Sequence, residues 1–316
     1  RTALPGPRMW GFGMPPPVRY YKPYFVCENK HECPPQAMVI TMKRKGKKRL
    51  IFFTDIDGSL MNRGDYSWEP ARPALNRLQE LNIPLVICTS RTRMEVTAIQ
   101  EEMGITGPII VENGGGIFFP EGYVTLPVGS VIISGGLRCI LLGKPYGRVR
   151  SFMDEAKGGF SVRGFGDMSV GEVSELTGLP PDKAALAQAR EFTELFVLEN
   201  EDELPDLELL ARSRGFFITR GGRFFHCMGM GSDKGVAVAR VQEIFARNWN
   251  RGALTVGFGD SPNDFPLLKA VNIPILIPQE DGTFEELDLP GLIRAPHPGS
   301  RGWNEAALQV VASKHR

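Results

Sequence analysis

The chain contains 316 residues, which is enough for one large domain or two ordinary ones with a substantial core. Hydrophobic residues make up 42% of it and charged residues 23%, which excludes wholesale disorder. The 37 Lys and Arg residues nearly balance the 36 Asp and Glu residues, and this argues against a dedicated nucleic-acid-binding protein. No run of about 18 apolar residues occurs, so no membrane span is predicted.

Residues 1–48 are predicted to form a flexible leader that is rich in proline and ends in a basic junction. Consecutive prolines at 15–17 and 34–35 favour extended geometry, and no periodic apolar face accompanies them. The basic run at 43–49 is interpreted as a solvated junction rather than a site for a nucleic acid or an anionic surface. The five scattered cysteines suggest neither disulfides nor a CxxC metal site, so a reducing cytoplasm is the expected compartment.

From residue 50 onward, apolar runs typical of strands alternate with helical patterns. Strands are predicted at 50–53, 84–88, 108–111, 254–258 and 273–277, and helices at 70–81, from after 92 to about 103, at 233–248, after 261 and at 303–314. This alternation with short connections predicts an α/β fold with a doubly wound parallel sheet.

The alternation is broken between residues 120 and 227. Short hydrophobic segments there are separated by helical stretches near 148–157, 170–176, 181–189 and 205–214. We interpret 120–227 as an inserted α+β domain, called the cap below. The core domain is then expected to comprise residues 49–119 and 228–316.

Acidic residues follow the first predicted strand of this core. Asp55 and Asp57 are one residue apart, and in extended geometry that spacing directs both carboxylates the same way. Two nearby carboxylates repel each other, so such a pair usually requires a metal ion or a raised pKa. Gly58 allows the chain to turn tightly beside them.

Three further strand or helix ends carry residues that complement this pair. Asp260 and Asp264 follow the strand at 254–258 and add carboxylates to the same sheet edge, as a hard cation such as Mg²⁺ requires. Thr89 ends the second strand and is expected to offer a hydroxyl and a backbone N–H at a helix start, which suits a phosphate oxygen. Lys234 begins a helix, where a cation opposes the helix dipole, so its position points to another role.

Together these residues resemble the four motifs of the haloacid-dehalogenase-like phosphohydrolases, in the correct order. The motifs are residues 54–58, Thr89, Lys234 and residues 259–264, and the resemblance covers about 50–280. It implies that Asp55 attacks phosphorus to form an aspartyl-phosphate and that Asp57 protonates the leaving alcohol and then activates water.

The same resemblance implies a cofactor and a phosphate site. Mg²⁺ would be held by Asp55, Asp57 through its backbone carbonyl, Asp260 and Asp264, the last as a ligand or as a partner of the ligands. Thr89 and Lys234 would bind the phosphoryl group. About 145 residues separate Thr89 from Lys234, so the cap must be inserted between the second and third motifs.

The cap region resembles the mannosyl-3-phosphoglycerate phosphatase family in the blocks at 111–115, 164–168, 175–179, 190–194 and 223–226. This resemblance implies hydrolysis of mannosyl-3-phosphoglycerate to mannosylglycerate, a compatible solute, and phosphate. The candidate substrate-binding residues are Arg190, Glu191, Thr193, Glu194 and His226. Arg190 is expected to clamp the substrate carboxylate bidentately, and Glu191, Glu194 and His226 to receive sugar hydroxyls.

The cap residues could have purely structural roles, and other activities are compatible with the same motifs. Arg190 and Glu194 also fit an exposed i,i+4 charge pair, and His226 a packed structural histidine. The enzyme alternatives are a phosphatase for glucosyl-3-phosphoglycerate, sucrose-phosphate or a broad range of sugar phosphates, and a phosphosugar mutase. A binding protein without catalytic activity is a further alternative. The expected partner is a small phosphorylated substrate, not a nucleic acid or a membrane, and no oligomeric state is predicted.

Overall fold

The computed structural model describes residues 49–133, 136–221 and 223–314, with the side chains of 131–133 left aside. The predicted leader of residues 1–48 lies outside this part of the chain, so it stays a prediction. Within the described part, no helix is long and apolar enough to cross a lipid bilayer.

The described chain alternates strands and helices through its first and last thirds. The strands are β1 (Leu50–Thr54), β2 (Leu85–Cys88), β3 (Ile109–Val111), β4 (Gly116–Pro120), β5 (Val131–Ile133), β6 (Leu137–Leu141), β7 (Val162–Gly164), β8 (Thr193–Leu198), β9 (Phe216–Gly221), β10 (Phe224–Gly229), β11 (Leu254–Gly259), β12 (Ile273–Leu276) and β13 (Ile293–Arg294). The helices are α1 (Arg72–Glu80), α2 (Arg93–Met103), α3 (Tyr146–Ala156), α4 (Val170–Thr177), α5 (Pro181–Gln188), α6 (Leu204–Ser213), α7 (Lys234–Trp249), α8 (Phe265–Lys269) and α9 (Gly299–Lys314).

The larger sheet has nine strands in the order β13-β12-β11-β1-β2-β3-β4-β6-β5. The six strands from β13 to β3 are parallel, and β4, β6 and β5 add antiparallel pairs at one side. From β1, the chain adds β2 and β3 on one side of the sheet and later adds β11, β12 and β13 on the other side. This is the pattern of a doubly wound sheet. The predicted α/β class and parallel core sheet are confirmed.

Alternating side chains of the buried strands pack against helices on both faces of this sheet. Phe52 lies in a core cluster with residues of α1, α2 and α9, whereas Ile51 and Phe53 lie in a second cluster with residues of α7 and α8. Since successive strand residues point to opposite faces, burial on both faces explains why β1 is continuously apolar from Leu50 to Phe53.

The inserted unit is built on a separate antiparallel sheet of four strands in the order β7-β8-β10-β9. Helices α3 and α6 cover it through a cluster that includes Phe152, Leu207 and Phe225. The sequence placed residues 120–141 in the cap, but β5 and β6 pair within the larger sheet. Short apolar segments of this kind can form either antiparallel strands at the edge of the larger sheet or strands of a small second sheet. The sequence pattern therefore could not decide to which sheet β5 and β6 belong.

Candidate active site

The acidic motifs meet at the carboxyl edge of the larger sheet because their strands are neighbours. β1 lies between β2 and β11 and is parallel to both. Asp55 directly follows β1, and Asp260 directly follows β11. Although these two residues are about two hundred positions apart in sequence, the topology brings them to one crevice, where open α/β sheets bind their ligands.

Lys234 joins this crevice from the first turn of α7. Its Nζ donates to Asp55 Oδ1 at 2.8 Å and to Asp264 Oδ1 at 2.6 Å, and the lysine is only 1% exposed. Burial alone would lower the pKa of Lys234, but the charges of Asp264 and Asp55 raise it above its ordinary value. The lysine is therefore a fixed cation between two carboxylates.

The three carboxylates of Asp55, Asp260 and Asp264 each have an oxygen within 4.8 Å of the others. Burial, together with repulsion from Asp264, raises the pKa of both Asp55 and Asp260. The Asp260 Oδ1 atom is buried and has no hydrogen-bond partner among the described residues. A set of crowded carboxylate oxygens with one left unsatisfied fits a hard divalent cation such as Mg²⁺.

Asp264 holds this arrangement together rather than adding a free ligand. One of its oxygens accepts from Lys234, and the other accepts from the backbone N–H groups of Asp260 and Ser261, each at 3.1 Å. Both oxygens are thus already used. Of the three carboxylates, those of Asp55 and Asp260 are the better placed to accept an ion.

Two arginines bind Asp57 and the second oxygen of Asp260. Arg91 binds Asp57 through two nitrogens, at 2.8 and 2.6 Å, and Arg63 binds Asp260 Oδ2 at 2.6 Å. Burial alone would raise the pKa of Asp57, but the hydrogen bonds and charge of Arg91 lower it. The Asp55 and Asp57 side chains therefore have different partners, because Asp57 lies in the turn after β1 and not in a continued strand.

Distant residues fix the turn that carries the aspartates. The Trp303 Nε1–H of α9 donates to Thr54 Oγ1 at 2.9 Å, and that hydroxyl donates to the Asp55 carbonyl at 2.7 Å. Gly58 has a φ of +81°, and a Cβ at this position would lie 2.3 Å from Asp260 Oδ2. Glycine is required here for both the turn and the close approach of the Asp260 carboxylate.

Thr89 lies at the end of β2 as predicted, but its backbone N–H is not available to a phosphate. That N–H donates to the Ile110 carbonyl at 2.9 Å in the parallel ladder with β3. The hydroxyl accepts from the Arg91 backbone N–H at 3.3 Å. Helix α2 begins later, with Thr92 as its N-cap, so the expectation that Thr89 lies at the helix start is wrong.

A cavity of about 350 Å³ opens on Asp55 and Asp57 and is walled by residues of both the core and the cap. Small-molecule sites have volumes of this order. Its lining residues include Arg63, Tyr66, Ser90, Arg91, Phe165, Leu179, Arg190, Leu195, Arg220, Arg223, Phe224, His226, Ser261 and Asn263. A larger cavity of about 610 Å³ shares Arg63 with it and is lined by Asp260, but it does not include Asp55 among its lining residues.

Arg190 lines the cavity, but most of its guanidinium is already engaged. Nε donates to Thr193 Oγ1 at 2.9 Å, and Nη2 donates to Thr193 Oγ1 at 2.7 Å and to the Ser90 carbonyl at 3.0 Å. Glu112 Oε2 lies 3.5 Å from its Nε. The predicted bidentate clamp of Arg190 on a substrate carboxylate is not available in this arrangement, since both nitrogens on one side of the fork are used.

Three of the predicted substrate-binding residues are not among the residues that line the cavity. Glu191 pairs with Arg93 at 2.9 Å, and Thr193 donates its hydroxyl to Glu112 at 2.8 Å. Glu194 is fully buried and accepts from the Tyr146 hydroxyl at 2.5 Å. Their polar atoms already form hydrogen bonds or ion pairs within the protein. The structure therefore gives no support to sugar contacts by Glu191, Thr193 or Glu194.

His226 does reach the cavity, from the central strand β10 of the cap. It is 3% exposed, and burial together with the nearby charge of Arg190 lowers its pKa to about 3. Its Nδ1 lies 3.5 Å from Asn113 Nδ2. A neutral imidazole at this wall can exchange hydrogen bonds with a ligand but carries no charge near neutral pH.

Sequence reasoning missed the cavity arginines other than Arg190. Arg91 could have been predicted from the sequence as a site residue, because it comes three residues after the end of β2, at the sheet edge that carries the acidic motif. Arg63, Arg220 and Arg223 lie in turns or in a hairpin whose direction no local pattern fixes. The Glu112 and Asn113 pair, with φ of +50° and +56°, was also not recognised as a structural turn.

Comparisons with known proteins agree with this architecture. Residues 52–126 match the family model of the haloacid dehalogenase-like hydrolases. The chain is similar to a haloacid dehalogenase-like hydrolase from Bacteroides thetaiotaomicron of known structure, with a TM-score of 0.58 and 18% identity over 83% of this chain and 100% of that one. At this identity the likeness concerns the fold.

Two curated relatives are much more similar in sequence. Both are named glucosyl-3-phosphoglycerate/mannosyl-3-phosphoglycerate phosphatase. The one from Persephonella marina is 48% identical over 83% of this chain and 97% of the relative, and the one from Methanococcoides burtonii is 39% identical over 84% and 98%. The chain therefore belongs to this phosphatase family of haloacid dehalogenase-like hydrolases, and it is a phosphoric monoester hydrolase.

Proposed function

We propose that this enzyme hydrolyses mannosyl-3-phosphoglycerate to mannosylglycerate and phosphate through an aspartyl-phosphate on Asp55. The observation that carries the proposal is the buried Lys234, which binds Asp55 and Asp264, together with the opening of Asp55 onto a cavity shared by core and cap. The curated relatives, whose names include this substrate, support the choice of leaving group.

In the first step, an oxygen of Asp55 attacks phosphorus and the bond to the glycerate oxygen breaks. Lys234 favours the ionised form of the attacking carboxylate against the effects of burial and Asp264, and it holds the carboxylate in place, since its Nζ lies 2.8 Å from Asp55 Oδ1. Thr89 and Lys234 are proposed to bind the phosphoryl oxygens, with Thr89 using its hydroxyl alone. Both sit at the sheet edge that carries Asp55.

Asp57 is proposed to give a proton to the departing oxygen and then to take one from the water that cleaves the aspartyl-phosphate. The Arg91 pair favours the ionised form of Asp57, which is the form that accepts the proton from water. The pair must therefore loosen for the first step. Because Arg91 also lines the cavity, an incoming phosphate can draw its guanidinium away from Asp57.

A Mg²⁺ ion bound by Asp55, Asp260 and the backbone carbonyl of Asp57 would neutralise charge on the transferring phosphoryl group. Asp264 would hold Lys234 and the loop that carries Asp260, as it does in this structure. The unsatisfied Asp260 Oδ1 is the atom that most supports this assignment.

Glucosyl-3-phosphoglycerate is a second candidate substrate, because the names of both curated relatives include it beside the mannosyl compound. The two sugars differ at one hydroxyl. The cap wall that would meet the sugar combines apolar side chains such as Phe165 and Phe224 with the neutral His226.

The test is phosphate release from mannosyl-3-phosphoglycerate, glucosyl-3-phosphoglycerate and sucrose-phosphate, each with Mg²⁺ and with a chelator. We expect Mg²⁺-dependent release that is fastest with the mannosyl compound. Equal rates with both glycosyl-phosphoglycerates would defeat the mannosyl preference, and release from neither would defeat the whole assignment. An isomerised sugar phosphate among the products would indicate a mutase instead.

A further inference from the structure

Five arginines line the active-site cavity, and they differ in whether an acidic partner already neutralises them. They are Arg63, Arg91, Arg190, Arg220 and Arg223. An arginine paired with a protein carboxylate has little free charge to offer to a ligand, whereas an unpaired one retains a full charge and a fork of donors. The pairing of each side chain therefore indicates where an anionic ligand group would bind.

Four of the five have a carboxylate within 4 Å. Arg63 pairs with Asp260 and Arg91 with Asp57, both at 2.6 Å. Arg190 has Glu112 at 3.5 Å, besides its hydrogen bonds to Thr193 and Ser90. Arg220 forms two parallel hydrogen bonds to Glu201, at 2.9 and 3.1 Å. These cations are balanced by the protein before any ligand arrives.

Arg223 differs from them, since no described carboxylate lies within 4 Å of it. It precedes β10 in the cap and donates from Nη2 to the carbonyl of Thr177 at 2.7 Å. Thr177 is the last residue of α4, so the arginine caps the negative end of that helix. Its guanidinium also lies over the Phe224 ring, 5.6 Å from the ring centre. These two contacts fix the side chain without cancelling its charge.

We propose that Arg223 is the carboxylate-binding residue of the cap and receives the glycerate carboxylate of the leaving group. This assignment rests on the proposed function, and it moves the carboxylate subsite from Arg190 to Arg223. Nη2 serves Thr177, so Nε and Nη1, which lie on different edges of the guanidinium, each remain able to donate a single charge-assisted hydrogen bond to a carboxylate. Arg223 is exposed, and the apolar residues Phe165, Leu179 and Phe224 line the same cavity, so a carboxylate bound between them would be only partly shielded from water.

The test compares two substrates that differ only in the group at issue, 3-phosphoglycerate and glycerol 3-phosphate, the second having a hydroxymethyl in place of the carboxylate. Full-length wild type, Arg223→Gln and Arg223→Lys are assayed on both, and on p-nitrophenyl phosphate as a substrate without this leaving group. Arg214→Gln is the matched control, since Arg214 is an exposed cap arginine outside the cavity and pairs with Glu155.

We expect Arg223→Gln to lower kcat/KM for 3-phosphoglycerate about tenfold, mostly through KM, as loss of a charge-assisted hydrogen bond does. Activity on glycerol 3-phosphate and p-nitrophenyl phosphate should stay within about twofold of wild type, and Arg223→Lys should restore part of the loss. An equal loss on all three substrates, or no loss on any, would overturn the proposal, as would the same selective loss in Arg220→Gln with Arg223→Gln unaffected.

The parent assignment is tested separately, on the wild type. If wild type fails to release phosphate from either glycosyl-3-phosphoglycerate, the proposed function fails before any variant is compared. If wild type is active on them and Arg223→Gln shows no selective loss, only the carboxylate subsite is wrong.

Discussion

The reactive carboxylates are held in an arrangement that is costly for the fold. Asp55, Asp260 and Asp264 are 5%, 1% and 0% exposed, and burial and mutual repulsion raise the pKa of the first two. Lys234 offsets part of this cost. A group whose pKa is raised in the folded state stabilises the fold at low pH and loses that contribution as the pH rises. In the absence of metal, the ionised Asp55 is therefore a destabilising residue.

We predict that Asp55→Asn abolishes turnover and, with a chelator present at pH 8, raises the free energy of unfolding by ~1–2 kcal/mol. The amide keeps an oxygen for Lys234 but removes a negative charge next to Asp264. At pH 5, where burial and repulsion favour the protonated form of the wild-type residue, the gain should shrink. Phosphate release and thermal unfolding at the two pH values measure both effects.

Asp288→Asn is the control for this prediction, because Asp288 is an exposed carboxylate away from the site. It should leave turnover and stability unchanged. A variant of Asp55 that is inactive but less stable than wild type at pH 8 would show that the Lys234 pair outweighs the repulsion.

At the scale of elements, one buried glutamate fastens the cap to the core. Glu112 lies in the turn after β3, with a φ of +50°, and is fully buried. Its oxygens accept from the backbone N–H groups of Glu191, Phe192 and Thr193 at 2.7, 3.1 and 2.8 Å. Glu191 and Phe192 lie between α5 and β8 of the cap, and Thr193 begins β8. The cost of the positive φ is offset because the turn places the Glu112 carboxylate where it accepts hydrogen bonds from three backbone N–H groups that would otherwise be unpaired.

We predict that Glu112→Gln loosens this attachment. The amide replaces one acceptor oxygen with a donor that would face a backbone N–H, so at least one buried donor loses its partner. The expected cost is about 1–3 kcal/mol of stability, and KM should rise because Arg190 and the cavity wall depend on the same segment. Chemical denaturation and steady-state kinetics measure these changes.

Glu121→Gln is a matched control, since Glu121 is exposed and follows β4 of the same sheet. It should match wild type in both measurements. Unchanged stability in Glu112→Gln would mean that the three N–H groups find other partners.

A second junction within the cap depends on Asp167. Its carboxylate accepts from Lys157 at 2.5 Å, from Arg150 and from the Gly164 backbone N–H at 2.9 Å. Burial alone would raise the pKa of Asp167, but the hydrogen bonds from Arg150 and Lys157 lower it to about 2. The stability from this group is present above its unfolded pKa near 4 and is lost as the pH falls toward 2.

We predict that Asp167→Asn lowers stability at pH 7 by about 1 kcal/mol, a modest value because the group is partly solvated. The difference from wild type should narrow between pH 4 and pH 2. The more exposed Asp154 shares Lys157 and Arg150, so Asp154→Asn should have the smaller effect. Thermal unfolding as a function of pH measures both, and a constant difference across this range would contradict the role of the charge.

For the whole molecule, sequence patterns predicted the order of strands and helices. They did not predict side-chain partners, because these depend on tertiary contacts. The order of strands and helices around β1, β2 and β11 follows from apolar runs and turn residues, and so does the convergence of Asp55 and Asp260. The partners of each side chain do not. Arg190 and Glu194 were candidates for substrate because nothing local shows that Thr193 and Tyr146 satisfy them.

The same limit explains the residues that the sequence could not reveal. Trp303 supports Thr54 from α9, a contact across about 250 positions that no periodicity indicates. Arg223 is distinctive only because the other cavity arginines have carboxylate partners, which is a property of the assembled cavity.

Cysteine usage led to the expectation of a cytoplasmic location. Cys88, Cys139 and Cys227 are free and buried in the described part of the chain, and the location stays a prediction.

The crowding of carboxylates should couple the metal to the stability of the entire fold. An ion that binds the folded state alone stabilises it in proportion to the logarithm of its concentration, by ~2.7 kcal/mol at a hundred times its Kd. We predict that Mg²⁺ raises the thermal midpoint of wild type in this way, because it would meet the unpaired Asp260 Oδ1 and relieve repulsion from Asp55. Asp260→Asn should lose most of this increment, whereas Asp288→Asn, which alters an exposed carboxylate, should keep it. A wild-type midpoint that is the same with Mg²⁺ and with a chelator would contradict a metal site at these aspartates, whatever the activity of the enzyme.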